Sequence, residues 1–516
     1  MTQPVALPFV TLVLLALVTA APPPPRSTVP AGADLQQALN AARPGDTISL
    51  EPGATYVGSF VLRARLGTDT RPIVLRTAGA DPVAGGQRIT PESAVALAKL
   101  RSPDNQPALR TEAGARFWRV ELVEFQANRN GDGDIIALGD GSIDQKALAA
   151  VPSDLTLDRV YVHGDSALGQ KRGVALNSAR TTISNSYFAD IKAAGQDSQA
   201  IAGWNGPGNY LIDNNYIEAA GENLMFGGAD PAILGLTPTN IVIRGNTVSK
   251  PLAWHSDGSP WTVKNLFELK NARDVTVERN LFERNWQQSQ SGYALLLTVR
   301  NQDGGCPWCQ VENVQIQHNI IRDVAAGLSI LGTDDNYPSR QTTGVVISDN
   351  VFDGIDSRLW GGDGYLMQLL NSPRQISIDH NTVIQGESSG VAKIEGQVDD
   401  FVFTNNLASH GAYGIIGSDH GIGNDSIRAF LAGANVTSNV LAGGNRSVYP
   451  PGNLFPSVDE FRQQFVDYAG HDFRLVPRSP WAHAATDGRS LGADLASMSR
   501  TPREDPPLRR PRIPDQ

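Results

Sequence analysis

The chain has 516 residues, of which 41% are hydrophobic and 19% charged, too apolar for a disordered polymer and long enough for a large core. Its 51 Gly and 33 Pro promise frequent turns without the one-in-three glycine of collagen. A net charge of −10 argues against general nucleic-acid binding, and two cysteines cannot staple such a length, so packing and backbone hydrogen bonds must hold it.

Residues 5–21 are almost wholly apolar or small, and Val18-Thr19-Ala20 offers a signal-peptidase pattern before Pro22 to Pro25 stop any helix. The run is too short for a comfortable membrane span, and no Lys or Arg precedes Arg26. The expectation is a signal peptide over residues 1–21 and a secreted or periplasmic protein, with no transmembrane segment after its removal. A membrane anchor or a misplaced start codon is the alternative. A Pro-rich linker, residues 22–32, follows. Asp34 to Ala42 then reads as a short amphipathic helix with Asp34 as N-cap. Arg43-Pro44-Gly45-Asp46 breaks it, and Thr47 to Leu50 starts the first strand.

Beyond residue 150 one phrase recurs: alternating apolar residues, an Asn, then two or three more apolar or small residues. Thr182-Ile183-Ser184-Asn185, Leu211-Ile212-Asp213-Asn214 and Val275-Thr276-Val277-Glu278-Arg279-Asn280 are examples. Asn246, Asn319, Asn350, Asn381, Asn406 and Asn439 complete the series, with steps of 29, 32, 34, 39, 31, 31, 25 and 33 residues. Length alone suggests about three domains, but a repeat of this size without helical periodicity means one stack of coils. Alternation of period 2 means strand, and the Asn sits where the strand turns a corner. Successive coils lie about 4.8 Å apart, so stacked asparagines can bond along a ladder. A propeller would need hairpins at blade spacing, and the Asn-Gly and Asp-Gly pairs do not fall there. The fold class predicted is all-β, a right-handed parallel β-helix (β-solenoid) over residues 33–455 with a short helical N-terminal cap. A C-terminal cap follows over residues 456–495, in which Val458 to Tyr468 is helix-like and Asp472 to Leu475 and Leu491 to Leu495 look like closing strands. Residues 496–516 read as a disordered Pro-rich tail.

The stretch Asp34…Ala41-Ala42-Arg43-Pro44-Gly45-Asp46-Thr47-Ile48-Ser49-Leu50-Glu51-Pro52-Gly53 resembles the N-terminal cap and first coil of pectate-lyase-like parallel β-helix proteins. It is nearest to the alginate lyase and chondroitinase B family. The closing Asp472-Phe473-Arg474-Leu475…Gly492-Ala493-Asp494 is similar to the tail of secreted members of that superfamily. The resemblance implies an extracellular polysaccharide as partner and a β-helix face carrying Lys and Arg beside acidic calcium ligands. Ca2+ is therefore the one cofactor to look for, and a monomer is expected.

A second strand follows each Asn phrase, and its alternation says which side chains face outward. With Phe267 and Leu269 inward, Glu268 and Lys270 point out. With Leu295, Leu297 and Val299 inward, so do Thr298 and Arg300. Lys270, Arg300 and Glu268 are the leading catalytic candidates, because β-elimination of a uronate needs a cation against the carboxylate and a base for the C5 proton. The competing reading is a same-face ion pair with a solvated neighbour. His255, in Trp254-His255-Ser256-Asp257-Gly258, is a fourth acid or base candidate. Trp204, Trp254, Glu222, Asn223 and Lys393 are candidates for binding sugar, and Asp230 and Asp257 for binding metal. Asp334-Asp335 resembles the Asp pair of polygalacturonase-type hydrolases, whose other motifs are absent. Asn130-Gly131-Asp132-Gly133-Asp134 lacks the closing Glu of a calcium loop and reads as an acidic turn. Cys306-Pro307-Trp308-Cys309, with no further Cys, reads as a local disulfide. The predicted function is a polysaccharide lyase acting on a uronate-containing glycan. A non-catalytic glycan-binding or surface solenoid and an inverting glycoside hydrolase are the alternatives.

Overall fold

The computed structural model describes residues 27–500 apart from residues 66, 80, 84–85 and 257. The expected signal peptide, residues 22–26 of the linker, Asp257 and residues 501–516 of the tail lie outside the described residues.

The chain winds as a right-handed parallel β-helix with three long sheets of 14, 13 and 12 strands. Each coil visits sheet 1, sheet 2 and sheet 3 in that order, as in Thr239–Arg244, Thr247–Ser249 and Asn265–Leu269. Alternation sends Ile241 and Ile243 of sheet 1 and Phe267 and Leu269 of sheet 3 into one continuous core. The same inward positions recur in every coil, so Val174, Ile201, Leu224, Phe267, Leu295, Leu328 and Met367 stack in register.

The corner between sheets 1 and 2 is held by an asparagine ladder. Asn246 accepts the backbone N–H of Asn215 through Oδ1 (2.9 Å), and its own N–H is taken by Asn280 Oδ1 (2.9 Å). The pattern repeats through Asn319, Asn350, Asn381, Asn406 and Asn439, and Asn453 ends it. Two expected members are displaced by one residue. Asn185 and Asn214 are the left-handed turn residues before the corner, at φ 53° and 55°, and the ladder positions belong to Ser186 and Asn215. Asparagine tolerates both conformations, which is why the sequence did not separate them.

At the N-terminus Asp34 caps the helix Leu35–Ala41 by accepting the Gln37 N–H. Ser27–Val29, within the expected linker, pairs with Thr47–Leu50 as the first strand of sheet 1. At the far end the helix is confined to Val458–Arg462, fixed by a Ser457/Glu460 capping box. Phe465–Asp467 pairs antiparallel with Asp472–Leu475. Residues 491–495 are not a strand. They anchor instead to the outside of sheet 2, where Gly492 donates to Asn405 O (2.8 Å) and Asp494 N–H to Asp349 Oδ1 (3.0 Å).

Coil length varies because loops vary, and after the early coils they vary in two places. From Leu211 onward the corner between sheets 1 and 2 stays tight, whereas 249→265, 285→293 and 355→367 enter sheet 3 and 226→239, 298→311 and 331→343 leave it. Long loops therefore wall both sides of the outer face of sheet 3 and make it a groove.

Candidate active site

The floor of the groove is built from two outward-facing rows of sheet 3. One runs Asp134, Arg172, Gln199, Glu222, Asn265. The other runs Ala175, Ala202, Met225, Glu268, Leu296, Ser329, Gln368, Lys393. The first row is wired across coils: Arg172 to Asp134 (2.9 Å), Arg172 to Gln199 Oε1 (2.8 Å), and Gln199 Nε2 to Glu222 Oε2 (2.9 Å). Lys264 closes this chain between Asp197 (2.5 Å) and Glu222 (3.2 Å).

Lys270, Arg300 and Glu268 are brought together. Lys270 Nζ is 3.2 Å from Glu268 Oε1, which also accepts from Thr298 Oγ1 (2.8 Å). The Arg300 N–H donates to Lys270 O (2.9 Å), so the two cations stand on adjacent coils, and Asp334 holds the Arg300 guanidinium (2.6 Å). Asn265 donates through Nδ2 to Glu268 Oε2 (3.0 Å) and to Gln290 Oε1 (3.1 Å), while its own Oδ1 is buried with no hydrogen-bond partner.

Glu222 is 1% exposed. Burial pushes its pKa up, and the nearby Glu268 and Asp197 carboxylates push it further, against Lys264 and Gln199. Burial alone would lower the Lys264 ammonium's pKa. Glu222 and Asp197 overcome that and hold it above its ordinary value. Lys264 thus stays charged, locked between two acids.

The structure moves several other candidates away from the groove floor. Asn223 points inward and is fully buried, donating to Ile217 O and Ser249 O and accepting from Lys250 Nζ, because the alternation breaks at the start of the strand and Asn223 turns in beside the core residue Leu224 instead of out with Met225. Asp230 spends its carboxylate on the backbone N–H groups of Gln302, Asp303 and Gly305, which is a loop anchor and not an open metal ligand. Trp254 is buried beside Trp286, with the Lys192 ammonium 5.3 Å from its ring centre, so that face is taken. His255 stands in the loop wall with its ring 4.7 Å from Trp286 and 5.6 Å from Trp360. Trp204 is half-buried against Arg172 (4.9 Å) and donates to Gly141 O. Lys393 is exposed at the far end of the second row. Asp334 is saturated by Arg300 and two backbone N–H groups, so no Asp334-Asp335 acid–base pair is open to substrate. Cys306 and Cys309 form a disulfide, and Trp308 pins that loop to Leu236 O (3.0 Å).

Lys264, Asn265 and Gln290 were not singled out from the sequence, whereas Asp197-Ser198-Gln199 reads there as a polar group near the same face. Asn265 stands three residues before Glu268, on the parity that alternation sends inward. It reaches the floor only because the alternation breaks at the start of the strand, where Leu266 and Phe267 both face the core. Lys264 and Gln290 lie on loops whose course no periodicity fixes.

No protein-family model and no curated protein matches the sequence. Solved structures do. A mannuronic acid specific polysaccharide family 6 lyase from human gut microbiota is 15% identical over 83% of this chain and 90% of its own, with a TM-score of 0.51. The PL6 family alginate lyase AlyGC is 15% identical over 93% of this chain and 59% of its own, with a TM-score of 0.55. At such identities the likeness is one of fold, the pectate-lyase-like parallel β-helix. Among the described residues no helix is long and apolar enough to cross a membrane.

Proposed function

We propose that the protein is a polysaccharide lyase that cleaves a uronate-containing glycan by β-elimination in the groove over sheet 3. The observation that carries this reading is the Lys270–Glu268 pair with Arg300 on the next coil, set in a walled groove. Elimination breaks the C5–H and C4–O4 bonds and forms a C4–C5 double bond. It needs a base at C5, a cation against the carboxylate and a proton for the leaving oxygen. Arg300, its guanidinium aimed by Asp334, serves as the fixed cation. Lys264 is held charged between two acids. Lys270 is left as the nitrogen that, as the neutral amine, takes the C5 proton and, as the ammonium so formed, gives one to O4, with Glu268 orienting it.

The calcium implied by the family resemblance fits the residues present. Glu222 and Glu268 repel one another, and the unpartnered Asn265 Oδ1 stands with them, giving a hard, all-oxygen donor set. A bound calcium would neutralise the substrate carboxylate. Among the described residues no cluster of three His, Cys, Asp or Glu converges, so an amide oxygen is an essential member of this set.

The test is ultraviolet absorbance of the unsaturated uronate product with alginates, pectins and glycosaminoglycans. Lys270→Ala and Arg300→Ala are each expected to lower the rate by about 100-fold or more. No unsaturated product from any uronate polymer refutes elimination. The raised pKa of Glu222 beside Glu268 favours a second reading, hydrolysis by an acid–base carboxylate pair, which would release reducing ends without a double bond.

A further inference from the structure

One coil beyond Glu268 the groove changes character. A cavity of about 210 Å³ opens there, lined by Gln290, Ser291, Tyr293, Leu296, Ser329 and Gln368, with room for several waters' volume. Its floor continues the row that carries Glu268, since Leu296, Ser329 and Gln368 follow Glu268 in register. It shares Gln290 with the charged site through the Asn265 bond. The lining contains hydroxyls, amides and one apolar side chain, and no Lys, Arg or His. A negative charge stands beside it: the Tyr293 hydroxyl lies 3.3 Å from the Asp363 carboxylate, and burial together with that carboxylate keeps the phenol protonated. The Gln368 Nε2–Ser329 Oγ bond (2.8 Å) leaves the Gln368 carbonyl and the Ser329 hydroxyl hydrogen free to meet ligand hydroxyls. The row's next cation is Lys393, one coil further on.

Coil spacing of about 4.8 Å is close to the length of one pyranose in an extended glycan, so each coil or two meets a new sugar. A homopolyuronate would place a carboxylate over every such step. Here the second carboxylate would enter a concave site with no cation and with Asp363 behind it, a desolvated charge without a partner. Resting on the lyase reading for the position of the reacting uronate, we infer that the cavity is a subsite for an uncharged sugar. The substrate is then a heteropolysaccharide in which the cleaved uronate is flanked by a neutral, hydroxyl-rich unit.

The test uses the full chain and polymannuronate and polygalacturonate whose carboxyl groups have been reduced to alcohols in a graded series, from none to all. Binding is measured by calorimetry and elimination by absorbance. Affinity is expected to be at least about tenfold higher for partly reduced than for unreduced polymer, and to fall again at complete reduction. Gln368→Lys and Ser329→Lys, which place a cation in the cavity, are expected to shift the preference toward unreduced polymer. Strongest binding to unreduced polymer, no binding to any member, or no shift in folded lysine variants each overturns the inference. A binding maximum at partial reduction with no unsaturated product upholds the subsite and refutes elimination alone.

Discussion

Lys250 is the most demanding residue behind the groove, and its replacement gives a sharp prediction. It is fully buried, and its Nζ approaches Ala219 O (2.8 Å), Ala220 O (2.9 Å), Gly221 O (2.8 Å), Asn223 Oδ1 (2.9 Å) and Asn265 O (3.1 Å). Three N–H bonds thus serve five oxygens at the turn that delivers Glu222 and Asn265 to the groove floor. Lys250→Met keeps the volume and removes the donors. Ala220 O still accepts the Lys264 N–H and Gly221 O the Asn265 N–H. Counting about 1 kcal/mol for each of the other three oxygens gives a loss of about 3 kcal/mol. Burial pushes the Lys250 pKa down to about 7, with Glu222 and Glu218 opposing. Between pH 7 and the ordinary lysine value of 10.5 the unfolded chain therefore holds a proton that the folded one lacks. Wild-type stability should rise through that window, and the deficit of Lys250→Met should widen. Urea unfolding of both proteins at pH 7 and pH 10 measures this. A deficit under about 1 kcal/mol at both pH values would mean that the oxygen cage is not what holds the turn.

Glu218 carries the opposite linkage. Burial raises its pKa from 4.5 to about 7, so stability should fall as pH rises through that window, by at most about 3 kcal/mol. Glu218→Gln should flatten the profile, and a fall of unchanged size in the variant's unfolding curves would contradict the assignment. The ladder register predicts that Asn215→Ala, which loses bonds to Ser186, Ile183 and Asn246, costs about 2–3 kcal/mol. Asn214→Ala should cost about 1 kcal/mol, mainly for its left-handed backbone. Equal losses in thermal unfolding would place the ladder wrongly. Asp334→Asn should lower the rate of unsaturated product formation about tenfold or more while leaving the pH profile's shape intact, since Asp334 aims Arg300 and moves no proton. Loss of one limb of the profile would make Asp334 an acid or base instead.

The fold was readable because its determinants are local and repeated. A strand of period 2 must send Phe267 and Leu269 inward and Glu268 outward wherever it lies, and the Asn corner recurs because each copy bonds to the next. The same parity argument brought Lys270 and Arg300 to one face. It failed by one position at Asn223, where a run of five buried residues, Glu222–Phe226, hides which neighbour faces out. It failed likewise at Asn214, where turn and ladder residues are both asparagine. The rest of the site depends on contacts between segments far apart in sequence. Lys264 meets Asp197 across 67 residues, and Asp230 meets Gly305 across 75. Such pairings are chosen by loop paths, which carry no period. What distinguishes a lyase from any other β-helix is therefore concentrated in the segments least legible from sequence. The neutral cavity shows this best: Ser329 and Gln368 are fixed by register, but Gln290 and Asp363 reach it only through the loops at 285→293 and 355→367. Substrate choice in this fold can change by loop replacement while the coils, and the Lys270–Glu268 pair they present, stay as they are.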